Sequence, residues 1–228
     1  GLYLPGLAAG GVQWQDRDGK TGFPGVRTGE LEFLQQVPAA ARIFIAQQLT
    51  ARVPGISAHE LDVLSAASVL ENAASPTLNL NPIHDRLRDQ PSAYRQIQQQ
   101  TLGFMQGLLT QAASRGLAEA FFIHLAPNLG RDDQGCERLL DGDGDHAGTT
   151  DFQFMLSGAI KEVGVLALIN RAVAQRSGHW PLGETFCVRD APRDLDGLLQ
   201  LAVERLDPRH VPRLVGIGDT VSARPAPG

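Results

Sequence analysis

Between Asp151 and Arg176 a six-residue strand-like segment runs directly into a helical repeat. Asp151 to Phe154 switches polar and apolar side chains, the period of a strand, and Met155 and Leu156 continue it as apolar residues. Residues 157–176 carry apolar side chains at Ile160, Val163, Ala167, Leu168 and Val173, the period of a helix, and Gly178 supplies its stop. A second helix over 194–206 and a short strand over 211–217 follow. With a buried strand at 121–125 before it, this tail predicts an α/β core.

The region upstream is helix-rich. Apolar residues recur at helical spacing over 29–50, with an interruption or kink expected at Pro38, and over 91–115, the longest helix candidate, which Gly116 ends. Ser57 and Glu60 form a capping box that opens a helix to about Leu70. Residues 126–150 and 178–193 read as loops, the latter with room for a short hairpin, and the Gln96–Gln100 stretch reads as a solvated helix face. At the start, Leu2 to Leu4 and Val12 to Trp14 read as short strands.

Composition narrows the function. The 228 residues are 43% hydrophobic, too apolar for a disordered chain. A net charge of −5 argues against nucleic acid as a partner. No apolar run is long enough for a transmembrane helix, and no secretory signal opens the chain, so a cytoplasmic location is expected. Cys136 and Cys187 form no disulfide framework and read as structural thiols. The first methionine is Met105, so the chain reads as the middle of a longer protein.

Two residues stand out chemically. Lys161, one of two lysines, falls one turn into the 157–176 helix if Ser157 is its N-cap. A lysine beside free helix N–H groups suits a phosphate. Asp219 follows the apolar run Leu214 to Gly218, at the strand edge where open α/β sheets bind ligands, and a carboxylate there suits Mg²⁺. A surface lysine and a turn aspartate are the plainer alternatives.

A lysine opening a helix and an acid after a later Gly-Asp strand end resemble the haloacid-dehalogenase-like phosphatases. Longer blocks sharpen the likeness. The stretch from Gly1 to Asp16, Ala126-Pro127-Asn128-Leu129-Gly130-Arg131-Asp132, Gly148 to Leu156, and Gly216 to Val221 resemble the cyanobacterial glucosylglycerol 3-phosphatases, the salt-tolerance family. The resemblance runs over nearly the whole chain. It implies a haloacid-dehalogenase-like (Rossmann-like) core, incomplete in this chain, with an inserted helix-rich α+β cap. Residues 1–28 would be part of the core, 29–150 the cap, and 151–228 the return to the core.

The resemblance also implies a Mg²⁺-dependent hydrolysis of glucosylglycerol 3-phosphate in compatible-solute synthesis, with no obligate protein partner. Lys161 would steady phosphate and nucleophile, Asp219 would bind Mg²⁺, and Asn128, Arg131 and Gln153 would contact the substrate. The family's aspartate nucleophile, in a D-x-D-G segment, is expected upstream of residue 1. The literal Asp16-Arg17-Asp18-Gly19 match follows a half-exposed alternating segment and reads as a hairpin turn. A non-catalytic cap-like module that binds a sugar phosphate or a protein is the alternative. Two further features read plainly. Asp141 to Asp145 lacks the glycine and the glutamate of a calcium loop and reads as a flexible acidic loop, and His124 reads as a satisfied core histidine.

Overall fold

The computed structural model describes residues 6–214. The strand expected at Leu2–Leu4, the end of the 211–217 strand and Asp219 lie outside the described residues; 211–214 form no strand.

The chain opens on a small antiparallel sheet. Its strands are β1 (Gly6–Ala8), β2 (Gln13–Gln15) and β3 (Thr21–Gly22), with a 3-10 turn at Ala9–Gly11. The Asp16 carboxylate accepts from the N–H groups of Asp18 (2.9 Å) and Lys20 (2.8 Å), and Gly19 turns with φ 80°. The D-x-D-G segment is therefore a hairpin turn that uses Asp16 to close itself.

Next come α1 (Thr28–Arg52), α2 (Ala58–Ala67), β4 (Val69–Leu70), β5 (Thr77–Asn79), α3 (Asn81–Arg86) and α4 (Pro91–Ser114). Pro38 does not interrupt α1, because Leu34, Val37 and Ala41 hold the helix against the core on both sides of the missing N–H. Ser57 caps α2, its hydroxyl accepting from Glu60 N–H at 3.1 Å. That helix stops before Leu70, which pairs with Thr77 instead.

The remaining elements are β6 (Phe121–Ala126), β7 (Asn128–Arg131), β8 (Glu137–Leu139), β9 (Asp151–Leu156), α5 (Lys161–Ser177) and α6 (Leu195–Arg205). The central sheet has the order β4-β5-β9-β6, and all its pairs are antiparallel. Thus β9, assigned by sequence to the returning core, is hydrogen-bonded between β5 and β6, in one sheet with strands of the 29–150 segment. Among the described residues no parallel strand pair occurs.

One face of this sheet is the core. Phe121, Leu125, Phe152, Phe154 and Leu156 point to it, and Phe33 of α1 lies 5.3 Å from the Phe121 ring and 5.9 Å from Phe154. Tyr94, Ile97 and Met105 of α4 are fully buried beside them. Each such side chain contributes about 1.5–3 kcal/mol of burial against the entropy of ordering.

Gln98 departs from expectation. It is fully buried, and its amide Nε2 donates to the carbonyls of Thr149 (2.8 Å), Ala147 (3.0 Å) and Leu140 (3.3 Å), while Oε1 accepts from Gly142 N–H at 2.8 Å. The acidic loop is thus pinned from inside. Asp143 closes it from outside, its carboxylate accepting from the His146 and Asp145 N–H groups; those bonds hold its carboxyl below the usual range. Cys187 is buried, but Cys136 is exposed in the β7–β8 hairpin, within a segment that reads as loop in the sequence.

The N-terminal sheet docks on α5 by glycine contact. A Cβ on Gly11 would lie 2.8 Å from the Gly164 Cα, and one on Gly10 2.4 Å from the Ala159 carbonyl carbon. Only backbone on both sides permits that approach.

Candidate functional site

The second face of the central sheet carries a polar patch beside the apolar Leu70, Phe122 and Met155. Register places Thr77, Gln153 and His124 in one row across β5, β9 and β6, and Asn79, Asp151 and Ala126 in the next. Alternation requires this: Phe152 and Phe154 fill the core, so Asp151 and Gln153 must face the other way. Asn79 Nδ2 donates to Asp151 Oδ1 at 2.7 Å. Burial pushes the Asp151 carboxyl up, and the Asn79 amide and nearby His124 offset this in part.

Glu137 of β8 completes the face. It is almost buried and accepts from Leu125 N–H at 2.6 Å, with His124 Nδ1 at 3.0 Å from Oε2 and Arg131 Nη2 at 3.4 Å from Oε1. The β7–β8 hairpin is thereby tied to β6. His124 is half-exposed at the sheet surface, so its satisfaction comes from Glu137 rather than from the core.

The sequence-predicted residues fare unequally. Gln153 sits in the middle of the polar face, and its side-chain amide has no partner among the described residues. Arg131 reaches the same network through Glu137 but spends Nη1 on the Gly135 carbonyl at 3.0 Å. Asn128 is committed to its own turn: Nδ2 donates to the Leu125 carbonyl and Oδ1 accepts from Gly130 N–H, both at 2.8 Å. Lys161 stands apart, beyond the Leu156 end of β9. It is the first residue of α5, not one turn in, because Gly158 (φ 89°) delays the helix and Ile160, not Ser157, occupies the N-cap. Ile160 supplies no side-chain cap, and exposed Lys161 has no partner among the described residues.

Asp151, Asn79, His124 and Glu137 were missed as a group. The alternation of β9 carried the signal for Asp151; the two- and three-residue strands that bring Asn79 and Glu137 alongside gave none. Among the described residues no three His, Cys, Asp or Glu side chains converge on a metal position, and no helix is long and apolar enough to cross a membrane.

Residues 1–227 match the family of glucosylglycerol-phosphate phosphatases. The chain belongs to that family. Among the glucosylglycerol-phosphate phosphatases, the protein of that name from Synechocystis sp. (strain ATCC 27184 / PCC 6803 / Kazusa) is 47% identical over 224 residues. The alignment covers 98% of this chain and 53% of that relative, so the chain spans about half the length of the phosphatase it matches. No solved structure matches the chain.

Proposed function

We propose that this chain is part of a Mg²⁺-dependent phosphatase that hydrolyses glucosylglycerol 3-phosphate to glucosylglycerol and phosphate, in the cytoplasm, for compatible-solute synthesis. Family membership over residues 1–227 is the observation that carries this reading. In it, the four-stranded sheet with α1 to α4 forms the cap, and α5 belongs to a haloacid-dehalogenase-like core. The bare N-terminus of α5 receives the phosphate, where its N–H groups and the Lys161 ammonium offset the charge that builds on the transferring group.

Gln153, Arg131 and His124 offer hydroxyl-binding groups on the open sheet face, and Asn128 shapes the β7–β8 turn beside them. The nucleophile is an aspartate outside the described residues; its carboxylate attacks phosphorus, the ester P–O bond breaks, and glucosylglycerol leaves as its oxygen takes up a proton, after which water cleaves the aspartyl-phosphate to phosphate and the free carboxylate. Asp16, held in its own turn, does not suit that task. Asp219, proposed as the Mg²⁺ ligand, also lies outside the described residues. The residues described do not themselves fit a Mg²⁺ site, and the roles given to Lys161 and the sheet face do not depend on the ion.

Phosphate release from glucosylglycerol 3-phosphate tests the proposal. The chain joined to the remaining half of its family's length should release phosphate with Mg²⁺ and lose that activity in a chelator. Absence of release from a folded sample of that longer protein would contradict it and favour a non-catalytic binding module.

A further inference from the structure

A cavity of about 420 Å³ lies where α1 begins, beside the turn that follows α4. Arg27, Arg189 and Arg193 line it, with Glu119 as the carboxylate on its wall. Behind the wall sits Glu30, fully buried. Its Oε1 lies 2.6 Å from Arg27 Nη2 and 2.8 Å from Arg189 Nη2, and its Oε2 accepts from Arg27 N–H at 2.9 Å. Burial alone would raise the Glu30 carboxyl, but the Arg27 side-chain and backbone bonds and the two guanidinium charges outweigh it and hold the group ionised. One buried carboxylate therefore fixes two guanidinium groups.

Burying a carboxylate in this way is costly, and stability alone does not require it. What it secures is position. Arg27 keeps most of its side chain exposed, and Arg189 about a quarter. Arg193 is exposed and has no hydrogen bond or ion pair among the described residues, so the wall carries an unspent guanidinium. The N–H groups of Ala118 and Glu119, in the same wall, also have no acceptor there. The carboxyl end of α4 does not oppose an anion strongly, because Gly116 and Leu117 N–H groups cap its last carbonyls.

We propose that this cavity binds the phosphate group of a small phosphorylated metabolite or free inorganic phosphate, at a site separate from Lys161. A planar carboxylate is satisfied by one guanidinium fork, whereas a tetrahedral dianion takes donors from several sides. Three arginines around one opening suit the second, and the volume falls in the range that holds a phosphate ester. None of the lining residues belongs to α5. The wall is nonetheless tied to the segment leading there, since the Ala120 carbonyl accepts from Ser157 N–H at 2.9 Å.

The test is arginine Nε–H NMR of the chain titrated first with inorganic phosphate and then with glycerol 3-phosphate. The Arg27, Arg189 and Arg193 signals should move together, with one dissociation constant. Arg193→Ala removes a side chain that holds nothing in the fold; the Arg27 and Arg189 signals should then require about tenfold more phosphate. Lys161→Ala should leave their response unchanged. Tighter binding of the ester would identify a phosphorylated metabolite as the ligand, and tighter binding of the free ion would identify inorganic phosphate. Signals that do not move, an unchanged constant in Arg193→Ala, or loss of the response in Lys161→Ala would overturn a separate site. Only the last depends on where the active-site phosphate binds, so failure here and failure of the phosphatase reading remain distinct.

Discussion

Replacing Lys161 by alanine should lower the turnover of the active phosphatase by about a hundred- to a thousandfold and leave its stability nearly unchanged. The side chain is exposed and unpartnered among the described residues, so the folded state loses little when it goes. In the proposed reading the transition state loses more, because the ammonium would stand where charge develops on the phosphoryl oxygens. The loss should fall on kcat rather than on KM, which separates a group acting on the transition state from one that merely holds substrate. Steady-state phosphate release and a denaturant titration of both proteins decide it. Equal turnover would remove Lys161 from the site.

Gln98→Ala should do the reverse. It deletes an amide that serves three carbonyls and one N–H inside the protein. The Leu140 carbonyl keeps the Thr149 N–H and the Ala147 carbonyl keeps the Tyr94 hydroxyl, but the Thr149 carbonyl and the Gly142 N–H lose their partner. A loss of about 3 kcal/mol is expected, since each unsatisfied buried group costs roughly 1–3 kcal/mol and part of the loop can relax to solvent. Denaturant titration gives the total. Hydrogen exchange gives the location: amides of Gly142 and Thr149 should lose protection before the β6–β9 pair does. A loss under about 0.5 kcal/mol, the scale of an ordinary surface substitution, would contradict the pinned-loop account.

The contrast between these residues shows what the sequence could and could not disclose. Elements with their own local signals were legible. Ser57 and Asp194 cap their helices, Gly116 and Gly178 follow theirs with positive φ, and the alternation of Asp151 to Phe154 produced both strand and facing. What depended on contacts distant in the chain was not. Gln98 sits in a polar run that reads as solvated; only the return of residues 140–149 across α4 makes it interior. The β7–β8 hairpin is short and rich in glycine and aspartate, and it is held by Glu137 reaching β6, which no local pattern encodes. Ser157 looked like the N-cap, but Gly158 packs against Val188, where a Cβ would lie 2.6 Å from the carbonyl oxygen, and the helix begins later.

The candidate site divides in the same way. Lys161 was legible as a lysine near a helix start, and the structure moves it to the very first residue. Gln153 is named through the family resemblance, and the alternation of β9 sets the face it occupies. Its row-mate His124 reads in the sequence as a core histidine because its apolar neighbours in β6 hide which face it occupies.

In the proposed reading, the polar patch of His124, Asp151 and Gln153 on the central sheet holds the sugar. Amide chemical-shift mapping of the isotopically labelled chain with glucosylglycerol, which carries no phosphate, tests this directly. The largest shifts should fall on His124, Asp151 and Gln153, and Gln153→Ala should weaken the binding severalfold. Shifts that leave those three residues unmoved, or binding unchanged by Gln153→Ala, would contradict it.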